Sequence, residues 1–472
     1  MSRQGEAVAD AAVQEEAAST DDSGSYRRIW DIAWPVSIST STMTLLTLAN
    51  LFWIGHLGTT AVAAVSLCGN LLFIVFGIAS IVQTGGLAII ARRVGEGQLE
   101  RAFTATVHAA MLGLVLGVVV AAIGYAAAPA IVHFFGAAPE VERIATAYLR
   151  IMLIGQVPMF VSVGLGGAYQ AAGDTRTPML VNVAVVLLNA IADPFFIFPP
   201  AQVHIAGVDI GWLGLGADGA AIAATLCGLG GCVVLLTVSI LRGRPFKRTE
   251  HTRIRIEPAE FLHMLRVGAP AAVSMAARPL STFLLLKIIA GFGTAAIAAF
   301  GISLRSFSVN WIPYSGIHVA VASLVGRNLG ARRVDAAERV VWRGLMVTGI
   351  LGVVYSVVYY AGAEQIIRVF DDEPDVLAAG VPFLQLMAIS FLISGPTIPL
   401  GSAMNGAGDT KPPMITAFLA NWPVKLPVAY ILAVPLGWGV DGVWVGMFVS
   451  LVFESAFLAW WYRRGTWKTK RV

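Results

Sequence analysis

The chain repeats itself at a constant offset of 235 residues, and the repeated pieces are apolar and helical in pattern. Pro35 returns as Pro270, and Arg92 and Gly95 return as Arg327 and Gly330. Gly58-Thr59-Thr60-Ala61-Val62-Ala63-Ala64 returns as Gly293-Thr294-Ala295-Ala296-Ile297-Ala298-Ala299. The stretch around Gly173-Asp174-Thr175 returns around Gly408-Asp409-Thr410. An offset that never drifts means two like halves. Two like halves of apolar helices, working around a site between them, are how many membrane carriers are built.

Composition places the halves in lipid. The chain is 57% hydrophobic and 13% charged, where a soluble domain carries roughly 25% charged residues. A membrane span needs about 20 apolar residues. Twelve such spans are predicted, at 29–55, 60–91, 101–134, 141–168, 176–199, 216–241, 261–290, 295–326, 335–368, 376–404, 411–435 and 440–462. Residues 1–28 contain no apolar run and lack the order of a signal peptide, so they read as a disordered cytoplasmic tail. Cys68, Cys227 and Cys232 lie in apolar stretches and read as buried thiols, outside any disulfide framework or metal site.

Loop charge sets the expected orientation. Of 32 Lys and Arg residues, 24 fall in the tails and connections of one side, while only Arg143, Arg150 and Arg368 fall on the other. The positive-inside rule makes the first side cytoplasmic, with both termini inside. The net charge of +4 then reflects topology, and nucleic-acid binding is not implied. Residues 242–260 form the longest polar connection and are expected to link an N-lobe (29–241) to a C-lobe (261–462), with a basic tail at 463–472. Six spans per lobe is an even number, so the lobes share an orientation and a pseudo-two-fold axis along the membrane normal.

Charged residues inside the spans carry the functional argument, because each costs at least ~2.5–3.5 kcal/mol at the bilayer centre and needs a partner or a wet cavity. Asp193 in the fifth span is the leading candidate. Asn189 lies four residues earlier on the same helix face, and Pro194 follows, freeing a backbone carbonyl one turn back. These are hard oxygen ligands, suited to a proton or to Na⁺. Arg278 in the seventh span either lines a cavity or is neutralised by Glu454 or by backbone carbonyls. Lys425 sits between Pro423 and Pro427 in a span expected to be broken. Gln83 and His318 are related by the repeat, as are Asn70 and Arg305, and all four are candidates for the central cavity or for packing. Trp311 is placed to stack on a flat solute or to anchor at the interface.

Together these pieces resemble a known family. The carrying residues are Asn50-Leu51-Phe52-Trp53-Ile54-Gly55-His56-Leu57-Gly58, Gly173-Asp174-Thr175, and Asn189 to Pro194. In the second half they are Phe292 to Ala299, Arg305, Leu324 to Ala331, Gly408-Asp409-Thr410 and Glu454. The chain is similar to the multidrug and toxic compound extrusion (MATE) transporters, within the multidrug, oligosaccharidyl-lipid and polysaccharide exporter superfamily. It is closer to the prokaryotic DinF-like branch.

The resemblance implies an all-α, V-shaped protein of twelve transmembrane helices in two six-helix lobes. It implies a monomeric plasma-membrane antiporter, not an enzyme, that exports small amphipathic organic compounds by alternating access in exchange for H⁺ or Na⁺, with no other cofactor. It also implies that Asn50 belongs beside Asp193, because the branch usually has an acid in the first span there. With Asn50 unable to titrate and Arg278 where another branch has a Glu, one carboxylate remains. Coupling through a proton on Asp193 is then expected ahead of Na⁺ binding at the same place. Arg305 and Glu454 are expected to be structural charges. The rival expectation is a flippase or exporter of lipid-linked or anionic solutes on the same fold.

Overall fold

Sixteen helices and one two-stranded hairpin make up the described residues of the computed structural model, which are 25–200, 203–205, 208–210, 212–241, 243, 245–246 and 256–470. The tail expected before Ser25, most of the expected linker, and the side chain of Asn70 lie outside the described residues. The helices of the first half are α1 (Tyr26–Gly55), α2 (Thr59–Gly95), α3 (Leu99–Phe134), α4 (Pro139–Ala172), α5 (Arg176–Ile197) and α6 (Ala217–Leu241). Those of the second begin with α7 (Pro258–Ala290), α8 (Thr294–Gly330), α9 (Val334–Ala361), the short α10 (Ala363–Arg368), α11 (Pro374–Ser394) and α12 (Thr397–Gly406). They end with α13 (Lys411–Leu419), α14 (Lys425–Ala433), α15 (Val440–Arg463) and the short α16 (Thr466–Thr469). Among the described residues, twelve helical segments are long and apolar enough to span a membrane, with α13 and α14 counted as one.

Lipid as solvent explains the surface. On α9, Trp342, Met346, Ile350, Val353, Val357 and Tyr360 are all exposed at steps of three or four residues. A soluble helix would bury that stripe. Here the outward face is as apolar as the inward one.

The repeated motifs turn out to be turns and contacts. Gly173 (φ 82°) and Gly408 (φ 78°) both sit in the left-handed region after a helix, where a side chain would be strained. Asp174 then accepts from the backbone N–H of Thr177 at 3.1 Å and from its hydroxyl at 2.7 Å, fixing the start of α5. Asp409 instead accepts from the Thr466 hydroxyl at 2.8 Å.

Between α13 and α14 the helix widens into a π turn over Ala420–Val424. Pro423 lacks the N–H that a regular turn would use, which accounts for the break. The connection between α5 and α6 carries a short hairpin. Val203–Ile205 and Val208–Ile210 pair antiparallel, with Ile205 opposite Val208.

The described residues form two compact units. One comprises residues up to Trp34, Leu87–Leu99 and everything from Pro270 on; the other comprises Pro35–Gly86 and Glu100–Ala269. The chain passes between units at Pro35 and Pro270, the prolines paired by the repeat.

In the second unit, α4 and α5 pack on α6, and a core of Ile54, Cys68, Tyr148, Leu149, Ile197 and Phe198 closes around α1, α2 and α4. In the first unit, α9 packs on α11 and α14 on α15. There the Trp444 ring lies 4.3 Å from Phe383 and stacks on Phe300 at 5.9 Å.

Within the first unit, the duplicated Arg-x-x-Gly motif makes a reciprocal contact. A Cβ on Gly95 would overlap the carbonyl oxygen of Arg327, and a Cβ on Gly330 would overlap that of Arg92. Backbone oxygens cannot swing away as flexible side chains do, so α2 and α8 would have to separate. Gly95→Ala is expected to destabilise by about 1–3 kcal/mol, the usual range for overpacking. The check is the thermal midpoint in detergent beside Gly77→Ala, whose new Cβ would meet nothing within 4 Å. Equal midpoints for the two variants would show that the close approach is not required.

Candidate functional site

The α5 helix places Asn189 and Asp193 one above the other, and both are buried, at 1% and 0% exposure. The amide nitrogen of Asn189 donates to Asp193 Oδ1 at 3.0 Å. That single bond leaves Asp193 Oδ2 and Asn189 Oδ1 buried without a hydrogen-bond partner, and Asn50 Oδ1 on α1 is in the same condition. All three are acceptors. Buried acceptors without donors are rare and call for an explanation.

A proton on Asp193 would supply one donor. A small hard cation would satisfy acceptors of this kind directly. The oxygen set is therefore built to receive positive charge.

The neighbours frame this set in apolar surface. Trp53, one turn beyond Asn50, packs edge-on against Phe198, whose centroid lies 6.1 Å away, and Phe198 directly follows α5. Asn50 precedes Trp53 by three residues and Asp193 precedes Phe198 by five, about 4.5 and 7.5 Å along their helices. As first and fifth in an alternating order of spans, the two helices run the same way, which puts both residues near one level. Tyr148 on α4 and Cys227 on α6 lie within electrostatic reach of Asp193, and the Cys227 thiol, a weak hydrogen-bonding group, also stands beside the Asn189 side chain. Gln83 is engaged elsewhere, with its amide 3.4 Å from Gln170 Oε1 on α4.

The first unit holds a second polar group of opposite sign. Lys425 is 5% exposed, and its ammonium donates to Asn421 Oδ1 at 2.9 Å. Asn421 is four residues earlier and stands in the π turn, with its own amide donating to the Ala417 carbonyl at 2.8 Å. An Asn and a charged residue at i and i+4 thus occur in both halves, 232 residues apart, acidic in α5 and basic at the start of α14.

Ser281 on α7 joins this group. Its hydroxyl lies 2.8 Å from the Arg278 carbonyl and 3.5 Å from Asn421 Oδ1. The Arg278 guanidinium pairs with Glu454 on α15. The Arg278 side chain is 54% exposed while that of Glu454 is 7% exposed, so the carboxylate is the buried partner.

Of the remaining candidates, His318 lies within electrostatic reach of Arg278. His318 Nδ1 lies 2.6 Å from the Ser402 hydroxyl, which in turn donates to the Ile398 carbonyl at 2.6 Å. With the hydroxyl hydrogen so used, Nδ1 is the donor of the first bond. That bond ties α8 to α12. Trp311 and Arg305 are exposed on α8.

Sequence reasoning missed Asn421, Ser281, Ser402 and Tyr148. Of these only Asn421 had a signal, its i, i+4 spacing to Lys425.

The sequence profile of the MatE family matches residues 35–195 and again 270–431, each match opening on one of the paired prolines. A probable multidrug resistance protein of Thermotoga maritima, NorM, is 26% identical over 432 residues, covering 91% of this chain and 90% of its own length. A NorM of Bacillus cereus is 28% identical over 374 residues, covering 78% and 80%. Among solved structures, a transporter of Pyrococcus furiosus, reported with a binding pocket of reverse polarity suggesting a different function, superposes with TM-score 0.84. It is 22% identical, over 94% of this chain and 96% of that one. A mutant of the Vibrio cholerae MATE transporter VcmN gives 0.84 at 21% identity, over 94% and 98%. Matched by the profile in both of its halves, the chain belongs to the MatE family, the multidrug and toxic compound extrusion transporters.

Proposed function

We propose that the protein is a secondary antiporter that exports amphipathic organic compounds by alternating access, taking one proton inward on Asp193 for each outward step. It works as a monomer in the plasma membrane, with both termini cytoplasmic. The observation that carries this reading is the buried acceptor set: Asp193 Oδ2, Asn189 Oδ1 and Asn50 Oδ1 all lack a hydrogen-bond donor among the described residues. A lone carboxylate among amide oxygens suits a proton better than tight Na⁺ binding, which gains from more than one anionic ligand. The relatives named as multidrug resistance proteins support the substrate class.

The test is uptake of a fluorescent amphiphile into proteoliposomes under pH and Na⁺ gradients imposed separately. Accumulation with the pH gradient alone is the expected result. Accumulation only with the Na⁺ gradient would overturn the choice of ion, and accumulation with neither would overturn antiport.

Asn50→Asp is expected to give a second carboxylate near Asp193. Two like charges resist simultaneous ionisation, so one is held protonated more strongly. Transport should then show a changed pH profile and acquire stimulation by Na⁺. An unchanged profile would place Asn50 outside the coupling group.

One observation favours a second reading, export of anionic or lipid-linked solutes. Lys425 is buried with one side-chain acceptor, leaving ammonium hydrogens for an anionic group. Competition of matched anionic and cationic amphiphiles in the same assay separates the two readings.

A further inference from the structure

Asp174 and Asp409 are paired by the repeat, yet they hold different things. Asp174 closes the first turn of α5 through Thr177. The repeat puts Pro412 at the position of Thr177, and a proline has neither an N–H nor a hydroxyl to offer. Asp409, 7% exposed, turns instead to the end of the chain. Its Oδ2 accepts from the Thr466 hydroxyl at 2.8 Å, and its Oδ1 lies 3.9 Å from the Lys470 ammonium.

The rest of that segment is engaged as well. Gly465 (φ 73°) lets the chain reverse after α15. Trp467 is fully buried and stacks on Tyr462 with ring centroids 5.2 Å apart, and Lys468 pairs with Glu338 on α9. Residues 465–470 thus join the start of α9, the corner before α13 and the end of α15, all within the first unit.

The two parts of the broken span are held very differently. A Cβ on Gly442 would overlap the backbone of Leu432 and Ala433, and a Cβ on Gly446 that of Ala429, so α14 lies on α15 with no room for a side chain. The π turn then separates α14 from α13. Helices kink at such turns. Ser450 on α15 pins the joint itself, its hydroxyl donating to the Ala420 carbonyl at 2.8 Å. On the far side of the joint, α7 gives α13 a neutral bond, from the Ser274 hydroxyl to the Pro413 carbonyl at 3.3 Å. The charged and aromatic contacts come from the chain terminus. The joint also carries the basic group: Asn421 donates to the Ala417 carbonyl of α13 and accepts from Lys425, the first residue of α14.

We propose that α13 is an arm hinged at the π turn, and that the segment Gly465–Lys470 is the clasp that docks it. With the clasp closed, Ala417 fixes the Asn421 amide and so the oxygen that meets Lys425. With it open, α13 swings about the joint while α14 stays on α15. A kink of about 20° at the end of this nine-residue arm, about 13.5 Å long, moves its start by about 5 Å.

Distances between paired nitroxide labels on the purified full chain test this, with Cys68, Cys227 and Cys232 replaced by Ala and label pairs placed on exposed positions. One pair, Lys411 with Tyr360, reads the start of α13 against the far end of α9. The other, Tyr430 with Arg339, reads α14 against the start of α9. The clasp is loosened in two independent ways, by Trp467→Ala and by Thr466→Val combined with Lys470→Gln. Both are expected to shift or broaden the first distance by about 5 Å and to leave the second unchanged. An unchanged first distance in both variants overturns the clasp. Equal changes in the two distances would mean that the span moves or unfolds as one piece, and overturn the hinge.

Discussion

Asp193→Asn is expected to abolish gradient-driven export while the protein reaches the membrane at the wild-type level. The substitution keeps shape and removes titration. Asp193 Oδ1 already accepts from Asn189, and an Asn oxygen can do the same. The other atom, Oδ2, has no partner, and neither does Asn189 Oδ1. An amide nitrogen in place of Oδ2 adds a second donor to a group in which Asn189 Oδ1 and Asn50 Oδ1 have none among the described residues. It also removes a charge whose burial in the membrane costs at least ~2.5–3.5 kcal/mol when ionised. The variant should therefore be as stable as the wild type or more so, by about 1–2 kcal/mol, within the range for a satisfied buried polar group. Lost export with a preserved or raised thermal midpoint separates a coupling role from a structural one. Lost export with a lowered midpoint would show that Asp193 holds the bundle together.

The second large effect is expected at the Arg278–Glu454 pair. Glu454 is the buried member, so Arg278→Gln leaves a carboxylate at membrane depth without its cation. Breaking a fully buried pair costs about 3–5 kcal/mol. Because the Arg278 side chain is half exposed, about 1–3 kcal/mol is the appropriate range here. Adding Glu454→Gln to Arg278→Gln should recover most of the loss, and a double-mutant cycle in detergent reads this directly. A paired guanidinium carries little net field. Export of a matched cationic and anionic amphiphile should accordingly fall together in Arg278→Gln. A selective loss of the anionic one would show that Arg278 receives substrate despite its partner.

What could be read from the sequence was whatever depends on short range or on the repeat. The twelve spans follow from apolar length, and the Asn189–Asp193 pair from i, i+4 geometry on one helix. Gly95 and Gly330 stood out as a repeated pair, yet their reason, reciprocal contact with the backbone of Arg327 and Arg92, needs the packed helices. The Arg278–Glu454 pair was one of several alternatives, because residues 176 apart have no spacing rule that brings them together. Lys425 drew attention through its flanking prolines, but its fixed orientation toward Asn421 comes from the π turn. The hairpin has a legible signal: Val203-His204-Ile205 and Val208-Asp209-Ile210 alternate about two residues that include Gly207. The resemblance gives Arg305 a structural tie, and its exposed side chain lines an open cavity on α8.

In the proposed cycle one buried carboxylate exchanges a proton for the exported compound. Linkage makes this measurable without a gradient, since a solute that competes with a proton must release it on binding, and by the same coupling the proton must weaken the solute. The measurement is proton release from purified, detergent-solubilised protein on adding a saturating amphiphile in weak buffer, followed with a pH-indicator dye. About one proton released per bound molecule is expected in the wild type, and none in Asp193→Asn although the compound still binds. Equal release from both proteins, or none from the wild type, would contradict it.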